Sequence, residues 1–356
     1  HDGCVFPLTG YPSTEVTDWL EQFRIAQRYG INHIRFHSWT PPVAAFKAAD
    51  IAGVYLQPEL PFWGTMDAKN TSLNQCLLHE GEQLLKEYGN SPSFTMMALG
   101  NELNGDINLM RRLVNHFRSM DNRHLYSFGS NNNLGTAGEQ AGEDFFVTCR
   151  VGRDTDSTYA THVRSSFSFA DAWKGGILNG TYPSTRWNYA KAISNSSIPV
   201  VSHENGQFQV YPDYKEINKY TGVLYPYNYE VFRRRLADNH LEKQALEFHR
   251  ATAAWSALCY KADIEMCMRT PGMGGFQLLD LIDYPGQGSA LVGLMDVFWK
   301  NKGGMSEDTF AGFCNKVVPM AEFKAYCWSN EEEFQARLIV ANYDEADLKE
   351  LPLRWR

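Results

Sequence analysis

The sequence predicts an α/β protein, a (β/α)8 TIM barrel followed by the start of a C-terminal β-sandwich. Three observations carry this expectation. Short apolar runs without polar alternation recur along the chain, as strands buried on both faces require. Each is followed by a stretch of helical periodicity, and strands that alternate with helices imply a parallel sheet covered on both sides. Eight such units fill roughly the first 320 of 356 residues, which suits a barrel better than a doubly wound sheet with its fewer strands. The expected division is residues 1–323 for the barrel and 324–356 for the beginning of the second domain.

Taken in order, Cys4–Leu8 is a short apolar run broken by Thr9-Gly-Tyr-Pro12. Ser13 can cap a helix in which Val16, Trp19, Leu20, Phe23, Ala26 and Tyr29 recur at helical spacing, and Gly30 ends it. Ile31–Phe36 reads as a strand, Pro41-Pro42 opens a helix through Asp50, and Val54–Gln57 is the next strand. Leu73–Tyr88 is a helix, Phe94–Leu99 a strand, and Leu103-Asn-Gly-Asp106 a turn. Ile107–Met120 is helical, while Leu125–Phe128 and Phe145–Cys149 are strands. Trp187–Ile193 is a short helix and Ile198–Ser202 a strand. A long loop is expected from Gly206 to about Asn239, then a helix over Leu241–Arg269, a strand over Gly275–Ile282 and a last helix over Asp308–Lys324. Beyond Lys324 the pattern changes: Phe334–Ala341 is a strand, and Leu351–Trp355 could begin another. Two strands do not stand alone in water, and both chain ends read as cut. Further domains of the same polypeptide are therefore expected.

Composition narrows the function. A net charge of −8 with no Lys/Arg run argues against a nucleic-acid partner. No apolar stretch reaches the roughly 18 residues that span a bilayer, so no membrane partner is expected. The seven cysteines are scattered and form no C-x-x-C, which fits neither a disulfide scaffold nor a zinc site. No G-x-G-x-x-G follows the first strand and there is no P-loop, so nucleotide binding lacks its usual support. Neither cofactor nor metal is assigned. Aromatic residues make up 13% of the chain, a content that suits sugar faces as well as large cores.

A barrel points every strand's C-terminal end at one face. Those ends carry Arg35 and His37, then Glu59, then Asn101 and Glu102, then His203 and Glu204, then Asp280 and Asp283. Two carboxylates on opposite strands of one mouth are what glycoside hydrolysis needs, one to give a proton and one to attack the anomeric carbon. Asn101 beside Glu102 suits the sugar 2-hydroxyl, and Arg35 and His37 would keep a nucleophile ionised. Glu59, near Pro58 and Pro61, reads as a hydrogen-bonding partner more than a third catalyst. Asp280 and Asp283 serve equally well as substrate contacts or loop braces. Trp39, Trp63, Trp173 and Trp187 lie in or near loops on this face, and one or two are expected to stack on sugar.

At these residues the chain resembles glycoside hydrolase family 2, which contains β-galactosidases, β-glucuronidases and β-mannosidases. Gly30-Ile-Asn-His-Ile-Arg-Phe-His-Ser-Trp-Thr-Pro-Pro42, Ala49-Asp50 and Gly53-Val-Tyr-Leu-Gln-Pro-Glu59 are similar to its second and third strand motifs. Tyr88-Gly-Asn-Ser-Pro-Ser-Phe94 with Leu99-Gly-Asn-Glu102 is similar to the fourth, and Pro199-Val-Val-Ser-His-Glu-Asn-Gly206 to the seventh. Gly274-Gly-Phe276 with Asp280-Leu-Ile-Asp283 is similar to the eighth. The resemblance implies a retaining exo-glycosidase that removes a terminal galactoside- or uronoside-type sugar from an oligo- or polysaccharide. Glu102 would be general acid/base and Glu204 nucleophile. Arg35, His37, Trp39, Glu59, Asn101, His203, Asp280 and Asp283 would bind substrate, and a secreted or periplasmic location follows from that activity alone.

The chain also departs from the pattern. Leu279 and Leu281 flank Asp280 where the family usually has tryptophans. Pro61 stands where some β-galactosidases have a His that, with the third-strand Glu, binds Mg²⁺. Asn205-Gly206 follows Glu204 in place of the usual Tyr, and Asn301-Lys302 only loosely resembles the pair that binds uronic acids. These departures leave a catalytically inactive carbohydrate-binding barrel as the alternative. A metal-dependent hydrolase would need a His-x-His at a strand end, and no strand end has one.

Overall fold

A computed structural model of the chain describes residues 2–129, 137–152, 159–166 and 176–350, with 352 and 354. In chain order the elements are α1 (Val16–Arg28), β1 (His33–Arg35), α2 (Val43–Ala52), β2 (Tyr55–Gln57), β3 (Trp63–Met66), α3 (Thr71–Tyr88), β4 (Met96–Ala98), β5 (Asn101–Gly105), α4 (Ile107–Met120), β6 (Leu125–Ser127) and β7 (Phe146–Thr148). There follow α5 (Gly176–Gly180), α6 (Ala190–Ile193), β8 (Val200–Gly206), α7 (Tyr227–Asp238), α8 (Ala245–Met268), β9 (Met273–Leu279), α9 (Glu307–Ala311), β10 (Val317–Glu322) and β11 (Arg337–Asn342).

The helices form where the sequence supplies both a buried stripe and an end. In α1 the buried residues are Trp19, Phe23 and Ala26, spaced four and three apart. Gly30, just past its end, has φ +76, and a Cβ there would lie 1.6 Å from the Cys314 carbonyl oxygen, so no other residue fits. The Asn70 side chain accepts from Leu73 N at 3.2 Å to cap α3, and that of Asp106 accepts from Leu109 N at 2.9 Å to cap α4. The apolar faces of α1 to α4 join the strands between them in one large core cluster that includes Trp19, Phe36, Phe46, Phe94, Phe117 and Phe128. A second cluster around Phe146, Tyr189, Val200 and Met266 lies under β7 and β8.

The inner strands pair in parallel, as continuous apolar runs require: β1 with β2, β4 with β6, β3 with β5, β7 with β8 and β8 with β9. Bridges Leu56–Phe94 and Glu59–Ala98 join β2 to β4, and Asp2–Phe36 stands for the first strand beside β1. The result is a mixed α/β fold with two parallel arcs. The expected closed ring is not present as one ladder among the described residues. At the seams the joins are sparse: next to β7, Tyr126 N donates to Asp144 Oδ2 and Asp144 N to Tyr126 O, both at 2.8 Å, and between β9 and β2 Gln277 Nε2 donates to Gln57 Oε1 at 2.9 Å. Strands of three residues leave few backbone groups to complete the ring.

Three local expectations are corrected. Leu103–Asp106 is no turn, because β5 runs to Gly105 and pairs with β3. The segment 206–239 is not all loop but contains a 3-10 turn over Tyr214–Lys219 and helix α7. Only Tyr229 and Leu236 of α7 are buried, seven residues apart, too sparse a stripe to read from sequence. Asp308–Lys324 is not one helix: α9 stops at Ala311, and β10 pairs antiparallel with β11. Pro319 in a helix interior would cost about 3 kcal/mol, and Val317-Val318 favours strand. The hairpin spans the expected boundary at 323/324. Of the suggested last strand, Leu351, Leu353 and Trp355 lie outside the described residues. No helix among the described residues is long and apolar enough to cross a membrane.

Candidate active site

Gly100 lets the chain step from β4 to β5. Its φ is +140, and a Cβ would lie 2.2 Å from the Phe62 carbonyl oxygen, so only glycine passes so close under β3. Asn101 N then donates to that same Phe62 oxygen at 3.0 Å, and Trp63 pairs with Asn101 in the β3–β5 register. Glu102 follows with φ +44; Glu204, near the end of β8, has φ +51. Left-handed backbone is unfavourable for a non-glycine residue by about 1–2 kcal/mol. Both candidate catalytic carboxylates therefore stand on backbone that their surroundings must hold.

The two groups meet. Glu102, His203 and Glu204 each present an oxygen or nitrogen within 4.8 Å of the others. Arg35, fully buried on β1, organises the floor beneath them. Its Nε and Nη2 donate to the two oxygens of Glu59 at 2.7 and 3.1 Å, Nη2 to Asn101 Oδ1 at 2.5 Å, and Nη1 to Glu204 Oε1 at 3.2 Å. Ser38 N–H donates to Glu59 Oε2 at 2.8 Å. Burial would raise the Glu59 carboxyl, but the charge and fork of Arg35, with His37 and the Ser38 N–H, hold it below the usual range. Glu59 is fully buried, an anchor for Arg35 and not a surface for ligand.

Glu102 is shifted the other way. Burial raises its carboxyl and Glu204 adds to this, while Arg35, Arg164 and a hydrogen bond from Trp63 oppose it. A half-buried acid with raised pKa can hold a proton for transfer. Glu204 lies 3.2 Å from the Arg35 guanidinium and 3.6 Å from His203 Nε2. Glu102, His203 and Glu204 are also donor types that could hold a divalent cation, the one such trio found among the described residues. Two guanidinium groups already compensate the charge there.

The other expected residues divide. His37 packs edge-on against Trp63, ring centroids 5.2 Å apart, at the edge of the pair. Trp39 belongs to the aromatic cluster of Phe6, Trp19 and Phe36, and its indole N–H donates to Asp2 O at 3.2 Å, so it is partly buried and packs against the core. Trp63, 55% exposed, is the tryptophan beside Glu102. Trp187 packs on the second core cluster, and Trp173 lies outside the described residues. Asp283 is buried, pairs with Lys302 Nζ and accepts from Gly293 N at 2.9 Å, which makes it a loop brace. Asp280 is buried and accepts from Leu281 N at 2.6 Å, while its own N–H donates to the Tyr260 hydroxyl at 2.8 Å. Both border a cleft of about 490 Å³ between the segment after Asp2 and the loop around 282–300, which neither Glu102 nor Glu204 lines. Asn301 donates to the Tyr29 hydroxyl and to Met305 O, so the Asn301-Lys302 pair is engaged in the fold.

Arg164 was not anticipated. It is buried in the segment between β7 and α5, and its Nη1 donates to the carbonyl oxygens of both His203 and Glu204 at 3.0 Å. Nothing local in Val163-Arg164-Ser165 announces this contact, which spans 40 residues.

No protein-family model matches the chain, and neither does any curated protein. Solved structures do. An FMN-binding β-glucuronidase from Facaelibacterium prausnitzii L2-6 is similar at a TM-score of 0.55 and 13% identity, covering 86% of this chain and 42% of that one. A Bifidobacterium dentium β-glucuronidase complexed with coumarin-3-O-glucuronide matches at 0.55 and 13%, covering 84% and 44%. A GH2 β-galacturonidase from Eisenbergiella tayi bound to galacturonate matches at 0.50 and 12%, covering 84% and 47%. The fold is thus that of known glycosidases. The chain spans less than half the length of these neighbours.

Proposed function

We propose that this chain is the catalytic part of a retaining exo-glycosidase of the family 2 type, built on a (β/α)8 barrel. The observation that carries the reading is the separation of Glu102 and Glu204. One oxygen of each lies no more than 4.8 Å from the other, a closeness that favours the roughly 5–5.5 Å group separation of retaining enzymes over the roughly 6.5–9.5 Å of inverting ones. The glycosidase neighbours support it further, as do the raised pKa of Glu102 and the Arg35 guanidinium 3.2 Å from Glu204.

In this mechanism a Glu204 oxygen attacks the anomeric carbon while protonated Glu102 gives its proton to the departing glycosidic oxygen. The C–O bond breaks and a covalent glycosyl-enzyme forms. Glu102, now a carboxylate, takes a proton from water as that water attacks the same carbon, and Glu204 leaves as a carboxylate. Asn101, oriented by Arg35, is placed for the 2-hydroxyl, and Trp63 for the sugar or leaving-group face. The substrate is a terminal galactoside- or uronoside-type residue of an oligo- or polysaccharide. With Asn301 and Lys302 engaged elsewhere, a uronate carboxylate would need another cationic partner.

A panel of aryl glycosides tests this. Glu204→Gln should abolish turnover by at least about 10²–10⁴-fold, and an activated fluoroglycoside should label Glu204. Normal turnover by Glu204→Gln sinks the mechanism. Sugar binding without turnover of any aryl glycoside by the unaltered chain would favour the inactive binding barrel.

A further inference from the structure

We propose that Arg164 is a positioning residue for the nucleophile, clamping the backbone on which Glu204 stands; the inference rests on the glycosidase reading above. Arg164 is 1% exposed, and a single nitrogen, Nη1, bridges the carbonyl oxygens of His203 and Glu204 at 3.0 Å each. One donor held between two successive carbonyls fixes the two peptide planes that meet at the Glu204 Cα, and with them the φ of +51 at Glu204. Such a conformation persists where the surroundings over-determine it. The opposite side of the clamp comes from α8. Asp263 accepts from Gly206 N at 3.0 Å, from Asn205 Nδ2 at 3.1 Å and from Ser165 N at 3.0 Å. The residue after Arg164 and the two residues after Glu204 are therefore tied to one buried carboxylate. Strand end and loop form a single unit, and Arg164 at 3.0 Å is a nearer donor to the nucleophile's own carbonyl than Gln207 Nε2 at 3.4 Å.

A neutral donor could hold two carbonyls, so the charge of Arg164 has a second consequence. Among the described residues, the groups that act on Glu102 include Glu204, His203, Arg35, Arg164 and Trp63. Arg35 is already divided among Glu59, Asn101 and Glu204. Arg164 is a second cation that draws the Glu102 carboxyl down against burial and the Glu204 charge. Removing that cation raises the pKa of Glu102. An acid catalyst must be protonated, so activity would persist to higher pH.

The test compares Arg164→Met and Arg164→Lys with the unaltered chain on one aryl glycoside across pH, with melting temperature as a control. Arg164→Met should lose kcat by about 10²-fold, the scale of a small misplacement of reacting groups, with KM nearly unchanged and the alkaline limb of the pH profile moved up. Arg164→Lys should keep the limb in place, because the charge remains, while kcat stays lowered because an ammonium does not reproduce the guanidinium bridge. Unchanged kcat in Arg164→Met, or an unmoved limb in a folded variant, overturns the proposal. If Arg164→Met does not fold, Arg164→Lys decides: a kcat equal to that of the unaltered chain overturns it. Should the unaltered chain hydrolyse no glycoside, the glycosidase reading fails separately. The ¹³C titration of the Glu102 carboxyl then tests the contact alone: no difference between Arg164→Met and the unaltered chain overturns it, and an upward shift supports it.

Discussion

Arg35→Met tests the floor of the site most directly. In the folded chain Arg35 is the cation between Glu59, fully buried, and Glu204, 7% exposed. Removing one partner of a buried ion pair strands the other at a cost of about 3–5 kcal/mol. At about 2–4 °C per kcal/mol for chains of a few hundred residues, the melting temperature at neutral pH should drop by roughly 6–20 °C. The pH dependence should also change sign. In the native chain the Glu59 carboxyl is depressed, so its contribution is present above the unfolded value of about 4.3 and is lost as pH falls through the lower folded value. Without Arg35, burial is the dominant remaining influence on Glu59 and raises its folded pKa. Stability in the variant is then greatest at acid pH and falls as pH rises through that raised value. Circular-dichroism melts at about pH 5 and pH 7.5 read both effects. A drop smaller than about 2 °C, or parallel pH dependences in the two proteins, would refute the idea that Arg35 compensates these carboxylates.

Two further outcomes are expected. Trp63→Phe removes the indole N–H that lowers the Glu102 carboxyl, so the alkaline limb of kcat/KM should move up modestly while an aromatic face remains; Trp63→Ala should in addition raise KM, and steady-state profiles separate the two. Glu143 is pushed up to about 7 by burial, against hydrogen bonds from Phe128 N, Gln140 N and Ser127 Oγ. A raised group gives stability that is complete below its unfolded value and is lost as pH rises through about 7. Glu143→Gln should therefore flatten the fall in melting temperature between weakly acid and weakly alkaline pH.

Much of this fold was legible because its signals are local. The helix over 107–120 follows from an Asp cap and a five-residue buried stripe, and the helix before Gly53 from the Pro41-Pro42 start and the glycine stop. The residues that meet at the floor were legible as strand ends: Arg35, Asn101, Glu102 and Glu204 needed only the rule that parallel strands deliver their tips to one face. What failed depended on partners distant in sequence. Trp39 at a strand tip gives no sign that Phe6, Trp19 and Phe36 will pack against it. Asp283 looks like a ligand until Lys302 folds back on it. Arg164 carries no pattern, because its importance lies in two carbonyls supplied by another strand. The helix expected over 308–324 is cut short because Pro319 disfavours a helix interior and Val317-Val318 favours strand.

The left-handed backbone under Glu102 and Glu204 bears on how such a site ages. Glycine or asparagine tolerates that conformation better than glutamate does, so replacing either carboxylate by one of them relieves a local strain. Loss of Glu204 also leaves Arg35 with Glu59, a balanced buried pair, whereas loss of Arg35 takes from two buried carboxylates the cation they share. Selection for a sturdier chain alone would therefore erode the carboxylates first and keep the arginine. In a lineage released from the proposed reaction, positions 102 and 204 should decay toward small or amide residues while the scaffold around Arg35 persists, leaving a well-folded relic with a silent site.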